Sequence, residues 1–346
     1  MEKNTASNRM QPIEWLSALP HITGVDIELL RSNEDSARRL YGSIGLVPTI
    51  GCEVEIKSSA VFPELAKEYF GKQDKYGHNQ YSYGGFDEAK KAAFDAEYNR
   101  LDTKLKPWYE MTKAAGIPQG CDSYWEFANA PAYSWKTLAA EVGLLFDSDL
   151  IPEGSNHSLH ITLGGVEIGK GGMAYVLGGL ELLFIPPERI EAATMPNRLG
   201  TQSTWARRGD DGMRPRYAGG LALEQTTATE LRTLTVSYPE QAASIFETSQ
   251  MLGAMLTAYR KRKTSADPLT QALAFLWDEY RCNLKDLWLE HGLPLQPWGK
   301  PKDKPEYWLK WAGAIAERDS GGSLEQETVK KFQRLIDMAA SLIKSF

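Results

Sequence analysis

At 346 residues, with 42% hydrophobic and 24% charged residues, the chain has ordinary globular composition and enough length for one large domain or two smaller ones. A net charge of −6 and a pI near 5.6 argue against nucleic-acid binding by bulk electrostatics, and the one dense basic run, at 260–263, reads as a helix C-terminus. Three widely spaced cysteines without a CxxC pair exclude a zinc knuckle and fit a reducing compartment, and no apolar run of membrane-spanning length occurs, so the expectation is a cytoplasmic protein without a membrane span.

In chain order, residues 33–41 suggest a helical turn or two and no site. Gly51-Cys52-Glu53-Val54-Glu55-Ile56-Lys57 alternates as a strand does, with Cys52, Val54 and Ile56 on one face and Glu53 and Glu55 on the other. At a rise of about 3.3 Å per residue the two glutamate Cα atoms stand about 6.6 Å apart, within reach of two divalent cations. By itself such a strand is more often the wet face of an antiparallel sheet. Residues 71–85 form a Gly/Tyr-rich polar loop holding His78, with the makings of a lid, and 86–115 carry the apolar spacing of a helix pair broken at Pro107. After a turn at 116–120, Trp125 and Phe127 alternate with Glu126. Ser134 opens a helix expected to stop at Gly143.

The turn at 152–156 leads into a strand with Leu159, Ile161 and Leu163 on one face and His160 and Thr162 on the other. Residues 172–184 are apolar nearly all round and read as a buried helix. Arg198, Arg207, Arg208, Arg214 and Arg216 then crowd a loop that the neighbouring Asp210 and Asp211 also fit as plain surface. The β-rich run 229–236 puts Glu230 and Arg232 on a common face. Helices are expected at 241–262, 267–290, 304–318 and 324–345, the last with a capping box from Ser323 and Gln326.

Four strands thus set apolar residues against one small chemical repertoire: Glu53, Glu55, Glu126, Glu230, His160 and Arg232. Carboxylates with an occasional imidazole suit Mg²⁺ or Mn²⁺, and arginine suits a phosphoryl group in transfer. In order, these motifs resemble the glutamine synthetase-type carboxylate–amine ligases, including the glutamate–cysteine ligase and amidoligase branches, over roughly residues 51–236. The resemblance implies an α+β fold: a curved antiparallel sheet with the active site on its open face and helices on the other. Residues 1–50 would pack on this core, 51–240 would form the catalytic sheet domain with a helical insertion at 86–115, and 241–346 would be a helical part of the same domain.

It further implies ATP-dependent joining of a small-molecule or peptide carboxylate to an amine through an acyl phosphate. Glu55 and Glu126 would hold the metal facing acceptor and transferred phosphate. Glu53, His160 and Glu230 would hold the metal bridging the ATP phosphates. Arg232 would stabilise the γ-phosphate, and Arg207, Arg208, Arg214 or Arg216 would bind phosphate or substrate carboxylate. Relatives of this kind are often dimers or larger. Two departures stand out: residues 129–134 offer no second glutamate after Glu126, and Thr162 occupies the place of a usual second histidine, for which His157 is no substitute on spacing. A guanidino-type phosphotransferase, with Cys121 as its only candidate cysteine, and a non-catalytic relative therefore stay open as alternatives.

Overall fold

The structure, a computed structural model, describes residues 26–43, 49–57, 124–128, 132–147, 153–154, 157–164, 170–184, 213–217, 227–293, 313–318 and 325–345, with single positions at 92, 96 and 310. The lid-like loop at 71–85 with His78, the helix pair at 86–115, the turn at 116–120 with Cys121, and Arg198, Arg207, Arg208 and Ser323 lie outside the described residues, apart from Ala92 and Ala96.

The alternating stretches form strands, and the strands form one sheet. β1 (Thr49–Lys57), β2 (Tyr124–Ala128), β3 (His157–Gly164), β4 (Met213–Tyr217) and β5 (Thr227–Val236) pair antiparallel in the order β2-β1-β3-β5-β4. With the helices α1 (Ile27–Ser43), α2 (Trp135–Asp147), α3 (Lys170–Phe184), α4 (Pro239–Lys261), α5 (Pro268–Glu290) and α6 (Lys330–Ser345) this is an α+β fold. α4 lies against the apolar face of the sheet, with Gly253 beside Leu163. The described C-terminal helices share one core with the strands.

Burial fixes the strand register. Ile50, Val54, Leu159, Ile161 and Leu163 are all fully buried. Each such side chain contributes about 1.5–3 kcal/mol, and slipping a strand by one residue would turn its share to the polar side. The five together contribute about 7–15 kcal/mol, as much as the whole net stability of a typical domain, so alternative pairings are strongly disfavoured.

Several elements differ from the sequence expectation. α1 is a full 17-residue helix rather than a turn or two, because it packs on α2 and buries Leu30, Glu34 and Tyr41. α2 runs through Gly143 to Asp147: Val142, Leu145 and Phe146 are buried, and that burial outweighs the roughly 1 kcal/mol a mid-helix glycine costs. The arginine-rich loop contains a strand, β4, whose Pro215 is tolerated because β4 is an edge strand among the described residues. The last helix begins at Lys330, preceded by a π-helical turn, Glu325–Val329. α5 starts where its sequence says: Asp267 accepts the Thr270 N–H at 2.6 Å and Pro268 occupies the first turn.

Candidate functional site

Because every strand pairing is antiparallel, residues in register form rows across the sheet, and three adjacent rows gather the chemical repertoire. In the first, Glu126 of β2 stands opposite Glu55 of β1, which stands opposite Ser158 of β3, itself opposite Thr235 of β5. In the second, Ala128 is followed by Glu53 and then His160. In the third, Gly51 is followed by Thr162, Glu230 and Arg214. Directly opposed positions keep their Cβ atoms about 4.5–5.5 Å apart, the distance at which two carboxylates share a cation or repel each other.

The second row carries an irregularity. Leu159 is opposite Leu234 and Ile161 is opposite Leu231, so β5 advances three residues while β3 advances two. Arg232 and Thr233 together oppose the single His160, a β-bulge. The simple alternation that put Glu230 and Arg232 on a common face is therefore interrupted at Arg232. The bulge sits in the row of Glu53 and His160, and bulges of this kind re-aim side chains beside functional sites.

At the centre, Glu53 Oε1 lies 3.6 Å from His160 Nδ1, an ion pair whenever the imidazole is protonated. His160 is 1% exposed, so the floor of this face is covered rather than open. Behind Glu53, on the helical side, Cys52 is buried; burial first, then the fields of Glu141 and Glu53, push its thiol well above the ordinary range and keep it protonated. His157 is also fully buried, but on that helical side, edge-on to Phe146 at 6.5 Å and opposite Val236. It shares no face with His160.

Of the residues expected at the site, Glu53, Glu55, Glu126, His160, Glu230 and Arg232 come to neighbouring register positions on one sheet, and Arg214 joins them from β4, with Arg216 two positions along opposite Ala228. Among the described side chains, no three His, Cys, Asp or Glu converge closely enough to hold a metal ion. Glu53 and His160 do supply adjacent oxygen and nitrogen donors on a protected floor, a set that suits Mg²⁺ or Mn²⁺ with positions left for phosphate oxygens. Sequence reasoning missed Arg214 as a strand residue, for which the signal was Met213 and Tyr217 flanking the Arg-Pro-Arg, and missed the bulge, for which it was the three-residue spacing of Leu231 and Leu234.

A second polar cluster lies on the helical side. The Glu34 carboxylate of α1 accepts the N–H groups of Tyr133 (2.8 Å) and Ser134 (2.9 Å) and the Thr137 hydroxyl (2.6 Å). Gln250 of α4 accepts the Trp135 N–H and donates to the Tyr133 carbonyl. These two side chains cap α2, where Ser134 had been expected to do so. The capped segment begins at Ala132, which exchanges two backbone hydrogen bonds with Ile50 of β1, three residues from Glu53.

Comparison with models of known protein families and with curated proteins finds no match. No helix among the described residues is long and apolar enough to cross a membrane.

Proposed function

We propose that the protein is an ATP-dependent carboxylate–amine ligase with a glutamine synthetase-type catalytic sheet, working in a reducing compartment. The observation that carries the reading is cross-strand register. The pairs that the resemblance assigns to separate metals, Glu55 with Glu126 and Glu53 with His160, are the pairs directly opposed across β1, and Glu230 follows one row on. A chance scatter of four glutamates and a histidine over five strands has no reason to sort in this way.

In the proposed reaction a substrate carboxylate oxygen attacks the γ-phosphorus of ATP and ADP leaves. The amine nitrogen then attacks the acyl carbon, inorganic phosphate leaves, and the nitrogen gives up a proton. Glu53, His160 and Glu230 would hold one divalent cation, and Glu55 with Glu126 another. Mg²⁺ or Mn²⁺ there would supply charge neutralisation at the phosphate oxygens. Arg232, at the bulge in the row of His160, would stabilise the charge on the phosphoryl group in transfer. Arg214 and Arg216 on β4 bind the outer phosphates or the substrate carboxylate, a role in which Arg207 and Arg208 are further candidates.

Calorimetry of ATP binding with Mg²⁺ or Mn²⁺ tests this. The wild type is expected to bind, and Glu53→Ala and Glu230→Ala are expected to lose at least tenfold in affinity; absence of metal-dependent nucleotide binding in the wild type overturns the reading. Arg232→Ala should retain ATP binding while losing phosphate release in a screen of amino acid and peptide substrates. ADP formed without inorganic phosphate or amide would instead indicate transfer to a guanidino group, and binding without turnover across the screen a non-catalytic relative.

A further inference from the structure

A cavity of about 550 Å³ opens in the helical layer, between α1, the start of α2, the middle of α4 and the end of α6. The described residues that line it include none from the sheet, so it is separate from the site of the proposed reaction. Its size falls within the roughly 300–1,000 Å³ of small-molecule sites. Leu40, Trp135, Met251 and Ile343 give it apolar walls. Among the described lining residues stand three cations from three different helices, Arg39, Lys136 and Lys344, against one carboxylate, Glu247. This local excess of positive charge runs opposite to the chain's overall −6.

We infer that this cavity is a binding site for a small organic anion, a carboxylate on an apolar or aromatic body. The apolar walls take the body. The anionic end takes the mouth, where Lys136 and Lys344 are exposed and free to swing onto it. The N–H groups of Tyr133, Ser134 and Trp135 play no part, because Glu34 and Gln250 already accept from them. Neutral ligands of the same shape gain only the walls. Cations meet three like charges.

The test uses the full-length protein and 8-anilinonaphthalene-1-sulfonate, an aromatic anion whose fluorescence rises on burial. One dye per chain is expected to bind the native state, with near-UV circular dichroism showing that tertiary packing is intact. 3-Phenylpropionate should displace the dye, and its amide should not. Lys136→Glu with Lys344→Glu, both at exposed positions, should weaken binding about tenfold, from two modest exposed attractions becoming repulsions. Ala37→Trp, which fills the cavity from α1, should abolish it without touching a charge. The inference is overturned if the folded protein binds no dye, if the amide competes as well as the acid, or if dye affinity is the same in wild type and both variants.

Discussion

Glu34→Ala probes how the helical layer supports the sheet. The substitution removes three hydrogen-bond acceptances at 2.6–2.9 Å and leaves the Tyr133 and Ser134 N–H groups and the fully buried Thr137 hydroxyl without their acceptor. An orphaned buried donor costs about 1–3 kcal/mol. Ser134 also lines the cavity, so water can reach part of the gap, and the low end applies to two of the three. The expected loss is about 3–5 kcal/mol in urea unfolding, with the m-value unchanged. Glu34→Gln keeps one acceptor oxygen but turns an NH₂ toward a donor, so it should cost about half as much.

The pH dependence gives an independent check. Burial raises the Glu34 carboxyl above its ordinary value, outweighing the hydrogen bonds that favour the charged form. An acid with a raised folded-state pKa holds more protons folded than unfolded between its two pKa values. Its contribution is thus most favourable below the unfolded value near 4.5 and is lost as pH rises through the folded one. The stability difference between wild type and Glu34→Gln should shrink across that window. A Glu34→Ala loss below about 0.5 kcal/mol, or a wild-type minus Gln difference that grows with pH there, would refute the argument.

Two further predictions concern the core. Gly179→Ala on α3 would drive a Cβ into the hydroxyl of Tyr280, which is fully buried and donates to the Tyr175 carbonyl at 2.8 Å; a loss of about 2–3 kcal/mol is expected by urea unfolding, and a neutral result would mean that α3 and α5 are not packed as described. In a Cys121→Ser background, Cys282 is exposed and should react with a thiol reagent at pH 8 within minutes, whereas Cys52, buried and held protonated, should react only on unfolding; equal rates would contradict the placement of β1.

Period-two alternation made β1, β2, β3 and β5 legible because each carries apolar residues on one face and a few chemically telling ones on the other. That pattern is a direct consequence of burying one side of a sheet. The pairing order was not legible, since alternation says which face a residue takes and nothing about which strand lies beside it. β4 was hidden by Pro215, which reads as a breaker unless the strand is known to be an edge. α1 was hidden because its stabilisation comes from Glu34 reaching 99–103 residues along the chain, a contact no local window contains. At the site, the residue types were readable, whereas the bulge at Arg232 and Thr233 appears only when Leu231 and Leu234 are matched to their partners on β3.

That bulge makes β5 unequal in its tolerance of length changes. Deleting Thr233 would restore plain alternation and keep Leu231 opposite Ile161 and Leu234 opposite Leu159, so Val236 and the start of α4 stay in place, whereas a deletion elsewhere in the strand turns the side chains on one side of it to the other face. Of the pairs in β5, only the row of His160 depends on the one inserted residue. A single-residue deletion scan across 227–238 should therefore show its mildest drop in folded yield at 232–233 and sharper drops at the flanking strand positions.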